Sequence, residues 1–140
     1  LADLHASSIC IEAWQSYERL GSPEGDLSLA RAVCYLALAP KSNAVYTAFS
    51  DALQLAKETG SISPPKHILN APTQLMKNNG YGDGYIYDHD SENAFSGQNF
   101  FPDELSRQVF YSPVERGFER ELKKRIAYFE KLRSKRDNNM

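Results

Sequence analysis

The sequence predicts an all-α protein, a helical bundle interrupted by one irregular segment, and three observations lead there. Apolar residues recur at intervals of three and four in four separate stretches. Period-two alternation is nearly absent: residues 85–87 favour a strand but are too short for more than one hairpin, with residues 109–111 as the partner. Prolines and glycines crowd the stretch between residues 61 and 111, where only short elements fit. With 140 residues, 41% hydrophobic and 24% charged, the chain has the size and balance of one domain. Its expected parts are a helical region over 1–60, an irregular segment over 61–111 and a C-terminal helix over 113–135.

The elements follow in order. Over residues 3–20, Leu4, Ile9, Ala13, Trp14, Tyr17 and Leu20 give a helical pattern that Gly21, Pro23 and Gly25 stop. Asp26 is placed to cap a second helix, LSLARAVCYLALA, whose only charge is Arg31 and whose surface is apolar on nearly every side. Such a helix is expected at the centre of the core. Pro40 ends it, and Ser42 or Asn43 can cap a third helix carrying Val45, Ala48, Phe49, Ala52, Leu53 and Ala56, closed by Gly60. The short Pro-Lys-Ser turn suggests that helices two and three form a hairpin. Residues 73–77 fit one or two helical turns after Pro72. Ser112, Pro113 and Glu115 spell a capping box for a long final helix with Phe118, Leu122, Ile126, Phe129 and Leu132 as its apolar stripe, fraying in the polar tail 133–140.

Composition narrows the chemistry. Cys10 and Cys34 stand far apart without metal or redox spacing, so both read as small buried hydrophobes in a reducing compartment, and neither disulfide nor zinc is signalled. No apolar run approaches the roughly 20 residues of a membrane span. The chain starts at Leu1 and enters an amphipathic pattern almost at once, as an excised fragment would, and no export signal precedes it. The expected setting is the cytoplasm. The net charge of -2 hides a split: residues 1–111 hold 7 Lys and Arg against 13 Asp and Glu, whereas residues 112–140 hold 9 against 5.

Candidate chemical constellations fail on context. There is no Gly-Lys-Ser/Thr tripeptide, so no phosphate loop for ATP is encoded. GYGDGY, with Gly80, Tyr81, Gly82, Gly84 and Tyr85, has the glycines of a dinucleotide fingerprint but neither the strand before nor the helix after. Asp88, His89, Asp90 and Glu92 lie too close in sequence to converge on one ion, and His89 or Asp90 is expected to fix the loop backbone instead. No Ser or Cys has a His and an acid at recognisable spacing, so no catalytic, cofactor or metal residue is assigned. One feature remains for nucleic acid: Arg120, Lys123, Lys124, Lys131 and Lys135 on the basic final helix, against the plainer reading of a packed, solvated helix.

Four segments, LALAPKSNAVY (36–46), HILNAPTQLMKNNGYGDGYIYDHD (67–90), QNFFPDEL (98–105) and FYSPVERGFERELKKRI (110–126), resemble successive signatures of the C-terminal domain of the replication-associated recombination protein A family. These proteins are AAA+ ATPases related to clamp-loader subunits and to the Werner-helicase-interacting protein. Phe100 and Phe101 stand where that family often has Tyr, and Asp88 where it often has Pro. The resemblance implies a post-AAA+ oligomerisation domain that makes a homotetramer, with the ATPase core and most of the lid outside this chain. ATP and Mg would then belong to the parent protein. A nucleoid-associated parent acting on forked DNA or single-stranded ends, and meeting single-strand-binding protein, follows from the same resemblance. Pro40, Lys41, Ser42, Asn43, Pro72, Thr73, Gly80, Tyr81, Gly82, Tyr85, His89 and Asp90 carry the signature and are expected to shape the domain or its interfaces. DNA contact or docking of a replication partner through residues 81–87 stands as the alternative role.

Overall fold

The computed structural model describes residues 1–137 and is all-α across them. Five helices follow in order: α1 (Ala6–Leu20), α2 (Asp26–Leu38), α3 (Ala44–Thr59), the short α4 (Gln74–Asn78) and α5 (Glu119–Asp137). Three 3-10 turns, at Lys66–Ile68, Asp88–Asp90 and Glu92–Ala94, punctuate the irregular segment. The chain divides into two compact units, one of Leu1–Tyr46 with Ser112–Lys123 and one of Thr47–Tyr111 with Lys124–Met140.

In the first unit, α1 begins where the Asp3 carboxylate accepts hydrogen bonds from the His5 and Ala6 amides, both at 2.8 Å, meeting two of the donors that a helix start leaves open. The same carboxylate accepts the Tyr35 hydroxyl of α2 at 2.9 and 3.1 Å, so one side chain starts α1 and ties it to α2. That hydroxyl is the main reason the Asp3 carboxyl is held below its usual range. Gly25 closes the intervening turn because a Cβ there would lie 2.6 Å from the Gly21 carbonyl and 2.9 Å from the Tyr17 Cα. Gly25, not Asp26, is the cap of α2; Asp26 is its first residue and accepts the Ser22 hydroxyl at 2.8 Å. The pair that packs in this unit is α1 with α2, with Ala13 and Ala32 as their buried residues.

The burial of α2 corrects an expectation. A helix apolar on nearly every side should lie in the interior, yet Ala32 is the one buried residue of α2, and Leu27, Val33 and Leu38 are 76, 66 and 88% exposed. Cys34 is accordingly exposed and Cys10 only half-buried. At the end of α2 the Lys41 ammonium donates to the carbonyls of Leu36, Ala37 and Ala39 at 3.1, 3.3 and 3.1 Å, closing the helix with a positive charge where its dipole favours one. Ser42 then starts α3 by accepting the Ala44 amide at 3.1 Å.

The last helix starts at Glu119, six residues after the expected 113. The capping box is not used. Glu115 pairs with Lys123, the Val114 amide donates to the Glu119 carboxylate at 2.8 Å, and Gly117 adopts φ +52, which interrupts any helix running from Ser112. α5 continues through Asp137, so fraying from 133 is not seen; residues 138–140 lie outside the described residues.

In the second unit, Thr73 caps α4 by accepting the Met76 amide at 3.3 Å, as its position predicts. Gly80, Gly82 and Gly84 all take the left-handed backbone that glycine tolerates, and the Gly82 amide donates to the Lys66 carbonyl at 2.8 Å. Residues 85–87 and 109–111 form no hairpin. The Gln98 carboxamide occupies the edge such a strand would need, donating to the Gly84 carbonyl at 2.8 Å and accepting the Ile86 amide at 2.9 Å. Phe95 packs on Phe129 at 4.9 Å between ring centres, beneath the Arg133 guanidinium at 5.3 Å. Arg107 clasps Glu130 with two hydrogen bonds at 2.8 and 3.3 Å, and Arg133 adds a third at 2.8 Å.

Candidate functional site

Two features of the first unit stand out, a buried polar knot and an uncovered apolar surface. The knot centres on Glu119, whose side chain is fully buried. One carboxylate oxygen accepts the Val114 amide at 2.8 Å and the Ser42 hydroxyl at 3.0 Å, while the Leu1 nitrogen stands 3.3 Å from the other. Burial alone would raise the Glu119 pKa, but the Val114 and Ser42 hydrogen bonds together with the Leu1 amino group outweigh it and hold the carboxyl below its usual range. Around this group the Phe118 amide donates to the Ala2 carbonyl at 2.9 Å, and Pro40 lies against Gly117. Pro40 and Ser42 from one signature segment thus meet Gly117 and Glu119 from another, and Val114 shares the Glu119 carboxylate with Ser42. Sequence reasoning missed Glu119 because a Glu in an exposed-looking helix start carries no mark of burial. The glycine two residues earlier, at the end of a proline-led segment, was the one available hint.

The apolar surface is the reverse of a core. Among the described residues of the first unit the buried apolar side chains are Ala2, Ala13, Ala32 and Ala44. The large ones face outward: Ile11, Trp14, Tyr17 and Leu20 lie on α1 at intervals of three, Leu27, Val33 and Leu38 stand on α2, and Tyr46 stands in the first turn of α3, with Trp14 64% exposed. Where such exposed apolar side chains adjoin, they mark a binding surface. Phe49 and Leu53, one helical turn apart on α3 in the second unit, are uncovered as well.

The remaining signature residues lie in the second unit, apart from Asn43, which is exposed just before α3. Pro72 and Thr73 lead into α4, Tyr81 is half-buried, and Tyr85 is exposed beside the Gln98 clamp. His89 stacks on Tyr87 with ring centres 5.0 Å apart, and Asp90 ends the 3-10 turn. The carboxylate that ties this loop back is Asp88, which accepts the Ser96 amide at 2.9 Å. Hydrogen bonds from Ser96 hold Asp88 below the usual carboxylate range. No group of three His, Cys, Asp or Glu side chains is placed to hold a metal among the described residues.

The five basic candidates all lie on α5. Glu115 engages two of them, accepting Lys123 on its carboxylate and Arg120 Nε on its carbonyl at 3.0 Å. Lys124, Lys131 and Lys135 are exposed in the second unit and, seven and four residues apart on α5, share one side of the helix. No helix among the described residues is long and apolar enough to cross a membrane.

The fold and its outward-facing helices define the class as an all-α helical domain with a buried polar knot. Comparison with known proteins makes this specific: the chain belongs to the MgsA AAA+ ATPase C-terminal family, whose model matches residues 1–130. It is similar to replication-associated recombination protein A of Coxiella burnetii, 45% identical over 132 residues that make up 94% of this chain and 30% of that protein. It is similar also to the proteins of that name from Haemophilus influenzae (46% identity, 89% of this chain, 28% of the relative) and Escherichia coli K12 (45%, 91% and 29%). The chain therefore spans under a third of the length of the curated relatives it matches.

Proposed function

We propose that this chain is the assembly domain of an AAA+ ATPase of replication-associated recombination, joining copies of its parent into a homotetramer through the apolar faces of α1 and α2. The carrying observation is the inversion of burial in the first unit, where alanines are inside and Trp14, Leu27, Val33 and Leu38 are outside. A homo-oligomer that buries these residues recovers about 25 cal/mol for each Å² of apolar surface removed from water. The relatives' names support the wider setting. In this reading the parent binds and hydrolyses ATP with Mg in its preceding domains and works on DNA at replication forks alongside single-strand-binding protein. Light scattering of the purified chain at micromolar concentration tests the assembly. The expected mass is four times 15.8 kDa, and a monomer would remove the proposal.

A second reading has its own observation, the shared side of α5 carrying Lys124, Lys131 and Lys135. Three exposed lysines in register suit a phosphate backbone and would add salt-sensitive, sequence-independent affinity for DNA. Replacing Lys131 and Lys135 by Glu is expected to remove salt-dependent binding to forked DNA; unchanged affinity would discard this helix as a contact.

A further inference from the structure

A cavity in the second unit is not used by either reading above. It measures about 550 Å³, within the ~300–1,000 Å³ range of small-molecule sites, and is walled by His67, Asn70, Gly82, Tyr85 and Phe100 together with Ile68, Leu69 and Ala71. Its lining is unusual in three respects. Tyr85 and Phe100 are each about half exposed, so two aromatic rings border the opening with their faces free of any core. His67 packs its ring near Phe100, with centres 6.1 Å apart, and its Nε2 is buried without a hydrogen-bond partner. Such orphaned polar atoms are rare in native proteins and call for an explanation. Asn70 is exposed and brings a carboxamide, which both donates and accepts. Outside the lining, Lys66 is exposed, and its stem runs beside Gly80, where a Cβ would lie 3.9 Å from the Lys66 Cδ.

We propose that this cavity binds a nucleobase. Aromatic faces at an opening stack on any base, a carboxamide and an imidazole nitrogen match the donors and acceptors on a base edge, and a lysine beside the site meets the attached phosphate. An aliphatic peptide side chain would leave Asn70 and His67 Nε2 unanswered. The walls are held in place before any ligand arrives. Gly82 is tied to the Lys66 carbonyl, and the Gln98 clamp on Gly84 and Ile86 fixes Tyr85 between its two contacts. The base can come from a single strand or from a free nucleotide. This site is independent of the lysines of α5 and of the assembly surface.

The test uses the whole chain with a fluorescent single strand of about 15 nucleotides, the upper range of single-strand site sizes, and separately with deoxyadenosine monophosphate. Binding is read by anisotropy for the strand and by the ¹⁵N resonance of His67 Nε2 for both. Tyr85→Ala and Phe100→Ala should each weaken the strand about fivefold or more. Lys66→Ala should instead lower the slope of log affinity against log salt by about 0.7. Movement of the His67 resonance with the mononucleotide identifies the base itself as sufficient, and movement with the strand alone places the source in a polynucleotide; either supports the cavity. Affinity within twofold of wild type in both aromatic variants, or binding abolished by Lys131→Glu with Lys135→Glu while the His67 resonance stays fixed, would overturn it. So would a wild-type chain that binds neither ligand. Should Tyr85→Ala lose its helical circular dichroism, Phe100→Ala and the wild-type His67 resonance decide the matter.

Discussion

Gly117→Ala is the most discriminating single change in the chain. Gly117 has φ +52, a conformation that costs an L-residue roughly 1–2 kcal/mol. Its added methyl would also overlap the Ala2 carbonyl oxygen and come within 2.7 Å of Pro40 Cγ. The Ala2 carbonyl is backbone and accepts the Phe118 amide, so relief requires the first residues to move away and give up that hydrogen bond, a further loss of about 1 kcal/mol. With the crowding itself, the total is about 3–4 kcal/mol. Gly60→Ala supplies the control: its φ is +64, nearly the same, but nothing lies within 4 Å of its would-be Cβ, so it carries the conformational cost alone. Urea unfolding followed by circular dichroism, at one fixed protein concentration because assembly couples to stability, measures both. Gly117→Ala should lose about 2 kcal/mol more than Gly60→Ala. Equal losses would mean that the Ala2 segment does not lie against Gly117, and the knot around Glu119 would fall with it.

The remaining expectations concern the knot, the loop and the surface. Glu119→Gln should cost about 1–3 kcal/mol by disturbing a buried acceptor. It should also flatten the acid limb of a stability-pH profile: the folded-state pKa is lowered, so the ionised group contributes above its unfolded value and that contribution is lost as pH falls through the folded one. A wild-type profile flat down to pH 3 would contradict this. Gln98→Ala removes both pins of residues 84–86, so hydrogen exchange at the Ile86 amide should accelerate while helix amides keep their protection; an unchanged Ile86 rate would refute the clamp. Trp14→Glu combined with Val33→Glu should leave helicity intact and lower the mass seen by light scattering, because both side chains are already in water in the single chain; an unaltered tetramer would put the assembly surface elsewhere.

Helix existence was legible and helix environment was not, for a physical reason visible at particular residues. Thr73 and Ser42 announce helix starts through local capping chemistry, and both act as their positions predict. The capping box at Ser112 is equally clear locally, yet it loses to a tertiary event: Glu119 recruits the Val114 amide, and Gly117 turns the chain close against Ala2. The missing hairpin has the same cause, since the distant Gln98 occupies the backbone groups of Gly84 and Ile86. Local signals are read from neighbours in sequence, whereas these outcomes depend on residues 5 and 14 positions away and, for Gly117 against Ala2, 115 away.

The burial of α2 is a different kind of miss, and it strengthens the assembly reading. An apolar pattern records that a helix surface is to be removed from water; it does not record by which chain. LSLARAVCYLALA gives Ala32 to α1 and leaves Leu27, Val33 and Leu38 in water. Exposing three such side chains forgoes about 1.5–3 kcal/mol each relative to burial, a sum comparable to the whole stability of an ordinary domain. Packing within the chain could have used that energy by turning a larger face of α2 inward, but the contact on α1 is made by alanines, and the Asp3 to Tyr35 hydrogen bonds tie the two helices together. A surface that is costly in one copy and offered by every copy is what a closed, symmetric oligomer consumes. The expectation of a central helix fails within the chain, and the proposed assembly is what gives its exposed face a partner.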